Sequence, residues 1–290
     1  MREPFLKWAG GKRWLARSFS WLFPASYDRY VEPFLGGGAI FFAQEPSNAL
    51  LSDANEKLVA TYNAIRDDWQ SVLAHLEEYA HKHSDNFYYE ARATPQIKSA
   101  AEAARFIYLN RTCWNGLYRV NLRGEFNVPR GTKDRVLMET DDFEWVSSAL
   151  QKASITTKDF EATLAEAGHG DFVFLDPPYT VAHNNNGFLK YNENIFSWSD
   201  QERLKEAAAA AAGRGASVLV LNAHHSSIEQ LYDGVGTMHI VNRHSVISGS
   251  AGHRRSVEEV AIQIGYATSS PIDLLNLHDA RYSASELKEA

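Results

Sequence analysis

The chain of 290 residues carries one cysteine, Cys113. A single thiol excludes an intramolecular disulfide and any multi-cysteine zinc site, and it fits a reducing compartment in which Cys113 is simply packed. Long apolar runs are also missing: none approaches the roughly 18 residues of a membrane helix. The aromatic N-terminal stretch is interrupted by Lys7, Lys12, Arg13 and Arg17, unlike a signal peptide. A cytoplasmic protein with no membrane association is therefore expected. Positive charge is not in excess, with 29 Lys and Arg against 36 Asp and Glu and a formal net charge of −7. That balance argues against a protein that coats nucleic acid indiscriminately. Finally, His75, His81 and His83 have no accompanying Cys or carboxylate spacing, so they are expected to be exposed helix or loop residues, and no metal is expected.

What is present centres on Asp171-Phe172-Val173-Phe174-Leu175-Asp176-Pro177-Pro178-Tyr179. The apolar run Phe172 to Leu175 suits a strand buried on both faces of a parallel sheet, and ligands bind at the carboxyl ends of such strands. Asp176 falls at that end. Pro177 and Pro178 remove two N–H donors, so the backbone there offers only carbonyl acceptors. A carboxylate, bare carbonyls and a tyrosine ring suit the exocyclic amine of a nucleobase. Its lone pair is delocalised, and it carries two hydrogens that two acceptors can grasp. If Asp176 takes one N–H and the Pro177 carbonyl the other, the nitrogen is drawn toward a tetrahedral shape with its lone pair aimed at an electrophile. Tyr179 then stacks on the base.

A second cluster lies upstream. Val31-Glu32-Pro33-Phe34 leads into Gly36-Gly37-Gly38 and Ala39-Ile40-Phe41-Phe42, read as strand, tight turn and helix start, where glycines let backbone approach a ligand. Leu50 to Asp53 is a second short strand ending in an acid suited to ribose hydroxyls, although Asp53 could also cap a helix beginning near Asn55. Gly10-Gly11-Lys12 lacks the spacing and the Ser/Thr of a phosphate loop, which excludes nucleotide hydrolysis on that basis.

From Lys57 to about Leu150 the strand–helix rhythm lapses into charged, aromatic, mostly helical segments. Arg105, Arg111, Arg119, Arg123, Arg130, Lys133 and Arg135 face only Glu125 and Asp134 there, a local excess read as a DNA-facing surface because Asn115, Asn121 and Asn127 are interleaved. Trp114-Asn115-Gly116 is a turn signal, and Asn121 to Val128 alternates around Gly124 like a hairpin or loop. The rhythm returns with a short strand at Ser154 to Phe160. Further on, His183 to Trp198 reads as a lid, Ser199 to Glu202 as a capping box, Leu204 to Ala212 as a helix stopped by Gly213, and Ala216 to Leu221 as a buried strand. His239 to Val241 and Val257 to Tyr266 read as strands. Between them Arg243, His244, Arg254 and Arg255 flank a Ser/Gly-rich loop whose residues suit either a phosphate grip or a solvated turn; the family resemblance given next favours phosphate.

Asp176-Pro177-Pro178-Tyr179 resembles the catalytic motif of adenine-N6 DNA methyltransferases that use S-adenosylmethionine. Phe5 to Lys12, Val31 to Gly38, and Asn115 to Arg119 with Asn121 to Pro129 are similar to the Dam-like group (D12 class, alpha group), in that group's order and over nearly the whole chain. The resemblance implies a Rossmann-like α/β methyltransferase fold with a mainly parallel sheet. Residues 1–57 and 150–290 would form the catalytic domain, and 58–149 an inserted, mostly helical DNA-recognition domain. Trp8 and Lys12 would touch the cofactor, with Phe34, Gly36, Gly38, Asp53 and Asp176 around it and Asp159 and Phe160 bordering its adenine. Lys7, Asn115, Leu117, Arg119, Asn121 and Pro129 match DNA-contacting positions, and Trp114 and Lys133 join them. The implied substrate is double-stranded DNA with GATC as the leading target, the adenine being flipped out to react. A monomer is expected, with a cognate restriction endonuclease, where one exists, acting separately. After Pro129 this chain has Arg130-Gly131-Thr132-Lys133, where the group carries an aromatic residue, glycine and then arginine.

Two other classes fit less well. An amino-methyltransferase acting on cytosine N4, RNA adenine or a protein glutamine would more usually begin the tetrapeptide with Ser or Asn. A catalytically inactive DNA-binding module would have no use for Trp8, Lys12, Asp53 and Asp176 together.

Overall fold

The computed structural model describes residues 3–8, 10–121, 123–181, 196–244 and 256–268. The chain divides into two compact units, Met1–Ala16 with Arg29–Thr163, and Arg17–Asp28 with Leu164–Ala290. Both are mixed α/β.

The first unit contains α1 (Arg13–Ser18), β1 (Arg29–Glu32), α2 (Ala39–Gln44), β2 (Ala49–Asp53), α3 (Glu56–Lys82), α4 (Asp85–Ala93), α5 (Ser99–Thr112), α6 (Phe143–Leu150), β3 (Ala153–Thr157) and α7 (Phe160–Leu164). Its strands run in the order β3-β2-β1, all parallel, with Tyr30 opposite Ala49 and Ala49 opposite Ala153. β2 is buried through Ala49 to Ser52, as a parallel strand covered on both faces must be, whereas β3 buries only Ile155. Asn55 starts α3, its side chain accepting from the Leu58 N–H at 3.2 Å. Leu58, Val59, Tyr62 and Ile65 form the helix's buried stripe, and α3 packs against β2, β3, α5 and α6. The helix breaks at Asp68 (φ −155°, ψ 63°), whose carboxylate accepts from the Ser71 N–H at 3.2 Å and so caps the second half. From Ala103 to Thr112, α5 is buried all round and forms the interior helix of the unit.

The second unit contains β4 (Asp171–Leu175), α8 (Trp198–Gly213), β5 (Ser217–Ala223), α9 (Ser226–Tyr232), β6 (Thr237–His244) and β7 (Ser256–Ile264). Its strand order is β4-β5-β7-β6, with β4 and β5 parallel and the other pairs antiparallel. β4 is buried at every residue, as its continuous apolar run requires. Residues 17–28 pack onto it: Phe23 and Tyr27 meet Phe172 at ring-centroid distances of 5.7 and 5.4 Å, and the Leu22 carbonyl accepts from Gln263 and Tyr266.

Two local expectations are corrected. The capping box belongs to Ser197 and Asp200, not Ser199 and Glu202, because the Ser197 hydroxyl accepts from the Asp200 N–H while Asp200 accepts from the Ser197 N–H. The helix accordingly starts at Trp198 and includes Gly213. His83 is also not an exposed loop histidine. Its side chain is 10% exposed, with Nδ1 at 2.9 Å from the Tyr108 hydroxyl and Nε2 at 3.3 Å from Asp134. Of the stretch read as a lid, His183 to Trp198, residues 183–195 lie outside the described residues, as do the Ser/Gly-rich loop with Arg254 and Arg255 and the side chains of Arg243 and His244.

Candidate active site and nucleic-acid interface

In the second unit, β4 delivers Asp176 to its carboxyl end, half-buried, with Pro177 buried behind it. Three buried polar side chains hold the next two residues, Pro178 and Tyr179. Gln201, in the first turns of α8, donates from Nε2 to the Pro178 carbonyl at 3.4 Å. Asn222 on β5 donates to the Gln201 amide oxygen at 3.0 Å, and its own oxygen accepts from the Ala223 N–H at 2.9 Å. Glu259 on β7 accepts from the Tyr179 hydroxyl at 2.6 Å. None of the three was identified from sequence. A signal existed, since Asn222 and Glu259 interrupt apolar strands, and a polar residue buried in a strand needs a partner.

In the first unit, Asp53 ends β2 and draws the glycine turn to itself. One carboxylate oxygen accepts from the Gly36 N–H at 3.0 Å and the other from the Asn55 N–H at 2.9 Å. Burial pushes the Asp53 carboxyl above the usual range, and these two amides oppose the shift. The helix cap is Asn55, so Asp53 is not the capping residue. Gly36 and Gly38 have φ of 47° and 65°, which favour glycine. A Cβ on Gly36 would lie 2.7 Å from Trp8, and one on Gly38 would lie 3.0 Å from both Phe42 and the Tyr62 hydroxyl. The space these glycines vacate is thus filled from within the protein, chiefly by Trp8. Trp8 in turn stacks on Tyr118 at 5.8 Å, and the Tyr62 hydroxyl donates to the Gly36 carbonyl at 3.0 Å. Phe34 and Phe160 stack at 5.5 Å, and Lys12 is buried. Asp159 is exposed, and its carboxylate accepts from the Glu161 N–H at 2.9 Å, at the start of α7.

The loop after α5 belongs to the same unit. Trp114–Gly116 forms a 3-10 turn with Asn115 at φ 55°. Its ends are tied where the Trp114 N–H donates to the Pro129 carbonyl and the Gly131 N–H to the Thr112 carbonyl. Val120 bridges Phe126, giving the anticipated hairpin-like loop. Trp114, Asn115, Arg119, Pro129 and Lys133 are exposed, and Leu117 is half-buried. Arg119 is steadied by Asn127, donating from Nε to its side-chain oxygen at 2.8 Å and from Nη2 to its carbonyl at 3.3 Å. Asn121 works inside the loop, its amide oxygen accepting from the Arg123 and Glu125 N–H groups and its amide nitrogen donating to Glu125. Lys7 is fastened to this region by Asn110, a residue sequence reasoning missed. The Lys7 N–H donates to Asn110 Oδ1 at 2.9 Å, and Asn110 Nδ2 donates to the Lys7 carbonyl at 2.7 Å. Burial lowers the Lys7 pKa, with Lys133 and Arg111 adding repulsion.

Of the local excess of positive charge between Arg105 and Arg135 read as a DNA-facing surface, only part is exposed and unneutralised. Arg105 is buried and paired with Glu102 at 2.8 Å, and Arg111 is buried and paired with Asp141 at 2.6 Å. Arg130 is paired with Asp85 and Asp134. Glu102, Asp141 and Asp85 lie outside that stretch of sequence, so its own charge balance overstates the exposed positive charge.

Residues 8–246 match the family model of the D12 class N6 adenine-specific DNA methyltransferases. The chain is 34% identical over 239 residues to the type II methyltransferase M1.LlaDCHI of Lactococcus lactis subsp. cremoris, covering 79% of this chain and 84% of that one. It is 30% identical over 260 residues to the DNA adenine methylase of Serratia marcescens (88% and 96%) and 31% identical over 274 residues to that of Salmonella typhi (91% and 96%). With Asp176-Pro177-Pro178-Tyr179 at the end of a buried parallel strand, and a family match spanning most of the chain, the protein belongs to the D12 class of N6 adenine-specific DNA methyltransferases and acts on DNA as a site-specific enzyme.

Proposed function

We propose that the chain transfers the methyl group of S-adenosylmethionine to N6 of an adenine flipped out of double-stranded DNA, within GATC or a related site, and that residues 58–149 serve as its target-recognition part. The observation that carries the catalytic assignment is the hold on the tetrapeptide, in which Gln201 occupies the Pro178 carbonyl and Glu259 the Tyr179 hydroxyl. Asp176 and the Pro177 carbonyl then each accept one N–H of the amine. Gripped at both hydrogens, the nitrogen is drawn out of conjugation with the ring, and its lone pair becomes available. Asp176 stabilises the positive charge that develops on the nitrogen rather than removing a proton beforehand. Tyr179 stacks on the flipped base.

The residues present fit the cofactor. Trp8 supplies an aromatic face for a sulfonium, Lys12 an ammonium for a carboxylate, Asp53 an acceptor for ribose hydroxyls, and Phe34 and Phe160 flat apolar surface for adenine, with Gly36 and Gly38 shaping the turn. S-adenosylmethionine supplies an electrophilic methyl group. Asp159, occupied at the start of α7, contributes through its place beside Phe160. For DNA, Arg119 reads a base edge, Lys7, Asn115, Leu117 and Pro129 line the recognition loop, Asn121 shapes it, Trp114 offers a ring to the duplex, and Lys133 holds phosphate. On this reading the protein works as a monomer, and any cognate endonuclease acts apart from it.

Sequencing of N6-methyladenine in DNA from cells expressing the chain tests substrate and target together; methylation absent, or spread without a common sequence, would defeat the reading. Asp176→Ala is expected to lower methyl transfer by about a hundredfold or more while leaving cofactor binding by calorimetry largely intact. Asp53→Ala is expected to weaken cofactor binding by about 1.5–3 kcal/mol. An unchanged dissociation constant in a folded Asp53→Ala protein would retire the ribose assignment.

A further inference from the structure

Glu259 is 1% exposed, in the middle of β7, opposite Ala223 of β5 on one side and Val241 of β6 on the other. Its neighbours Val260, Ala261 and Ile262 are buried apolar residues. Alternation along the strand sends Glu258 to the other face, where it meets His224 at 2.9 Å. A buried carboxylate at such a place is costly. Where stability alone is at stake, a well-packed apolar side chain serves as well or better. Tyr179 does not require a charged partner either, because a neutral acceptor also satisfies a phenol O–H. Yet the two meet at 2.6 Å across 80 residues of sequence.

We propose that Glu259 is a positioning residue for Tyr179. It fixes the far end of the phenol so that the ring is already oriented when the flipped adenine arrives. The proposal rests on the reading that Asp176 to Tyr179 receive that base. A tyrosine side chain has two rotatable bonds, χ1 and χ2. The hydroxyl lies on the χ2 axis, so anchoring it removes the swing about χ1, and because a phenol O–H keeps to the plane of its ring, an acceptor held in a fixed direction biases χ2 as well. Gln201 does the same for the backbone one residue earlier, at the Pro178 carbonyl, so ring and backbone are held by separate buried groups. Freedom given up on folding is not lost again when the base stacks.

The test is a double-mutant cycle on single-turnover methyl transfer, read beside the fluorescence of a duplex with 2-aminopurine in place of the target adenine. Glu259→Leu is expected to slow transfer about tenfold, in the range of coupled neighbouring side chains, and to reduce the fluorescence rise that reports the unstacked base. Glu259→Gln keeps an acceptor for the phenol and recovers part of that loss. In a Tyr179→Phe background, which lacks the hydroxyl, neither Glu259 exchange lowers the rate further. Equal losses in both backgrounds would overturn the proposal, as would full activity of Glu259→Leu. If Glu259→Leu does not fold by circular dichroism, Glu259→Gln compared across the two backgrounds decides the matter by the same criterion. A wild-type protein that transfers no methyl group to adenine defeats the functional reading itself. Transfer with additive exchanges defeats only the positioning role.

Discussion

Arg105 and Arg111 on α5 and Arg119 in the loop beyond it place the same guanidinium in opposite surroundings. Arg111 is 1% exposed and fully engaged, donating to both oxygens of Asp141 at 2.6 Å, to the Val136 carbonyl at 2.7 Å and to the Phe5 carbonyl at 2.8 Å. Arg105 is held by Glu102 through both ends of its fork and reaches the Ala91 carbonyl. Arg119 lies exposed against Asn127 alone among the described residues, through Nε and Nη2. A guanidinium has five donors in a fixed fork. Where all are spent inside, it is a structural cross-link. Where one edge is braced by a neutral amide, the remaining donors keep a defined direction without being neutralised, which is what reading a base edge requires. Burial of the arginine itself against a nearby acid separates the two settings, and local charge density does not.

The largest effect that breaks this comparison is Arg111→Ala. It strands the Asp141 carboxylate and the Phe5 and Val136 carbonyls, and it is expected to cost about 3–5 kcal/mol in urea unfolding. Little change in the midpoint would mean that the buried cross-link carries no stability. Next comes Arg119→Ala, expected to leave unfolding unchanged while costing about 1–3 kcal/mol of discrimination at one base pair. Methylation kinetics on duplexes altered one pair at a time measure it, and a uniform loss over all sequences would move Arg119 to a phosphate role. Lys133→Ala is smaller still, weakening binding to all sequences alike and reducing the salt slope by about 1.

The smallest effect is electrostatic. Lys7 has its pKa lowered first by burial and then by Lys133 and Arg111. For a base whose folded pKa lies below its unfolded one, the unfolded chain holds more protons between the two values. Lys7 therefore makes stability rise with pH across the window from its lowered value up to the ordinary lysine value. Lys133→Ala removes one repulsive charge and is expected to shift the Lys7 titration upward, as followed by side-chain NMR; a downward shift or none would separate the two ammonium groups.

Much of the fold could be read along the chain. The continuous apolar runs at Leu50–Leu51 and Phe172–Leu175 became buried parallel strands, and the turn at Gly36 to Gly38 formed between β1 and α2. Other features were illegible because their partners are remote. The glycine turn could be read as backbone open to a ligand, but that the Trp8 ring from the N-terminal loop packs against Gly36 and Gly37 could not be read locally. The cation-rich stretch looked like a surface because Glu102, Asp141 and Asp85 lie outside it. Capping slipped by two residues at α8 because Ser197 and Ser199 offer the same chemistry, and the local motif does not distinguish them.

By itself, then, the sequence determined the chemistry: which strand ends in Asp176, which backbone groups Pro177 and Pro178 strip of donors, and which acid closes β2. Those properties are covalent or depend on neighbours a few residues away. The tertiary structure alone decided how these groups are held, with Gln201 on the Pro178 carbonyl, Glu259 on the Tyr179 hydroxyl, Asn110 on the Lys7 backbone and Asn127 on Arg119. A polar side chain's role is set by the donor or acceptor it meets. Those meetings, across as many as 103 residues, exist only once strands and helices have packed.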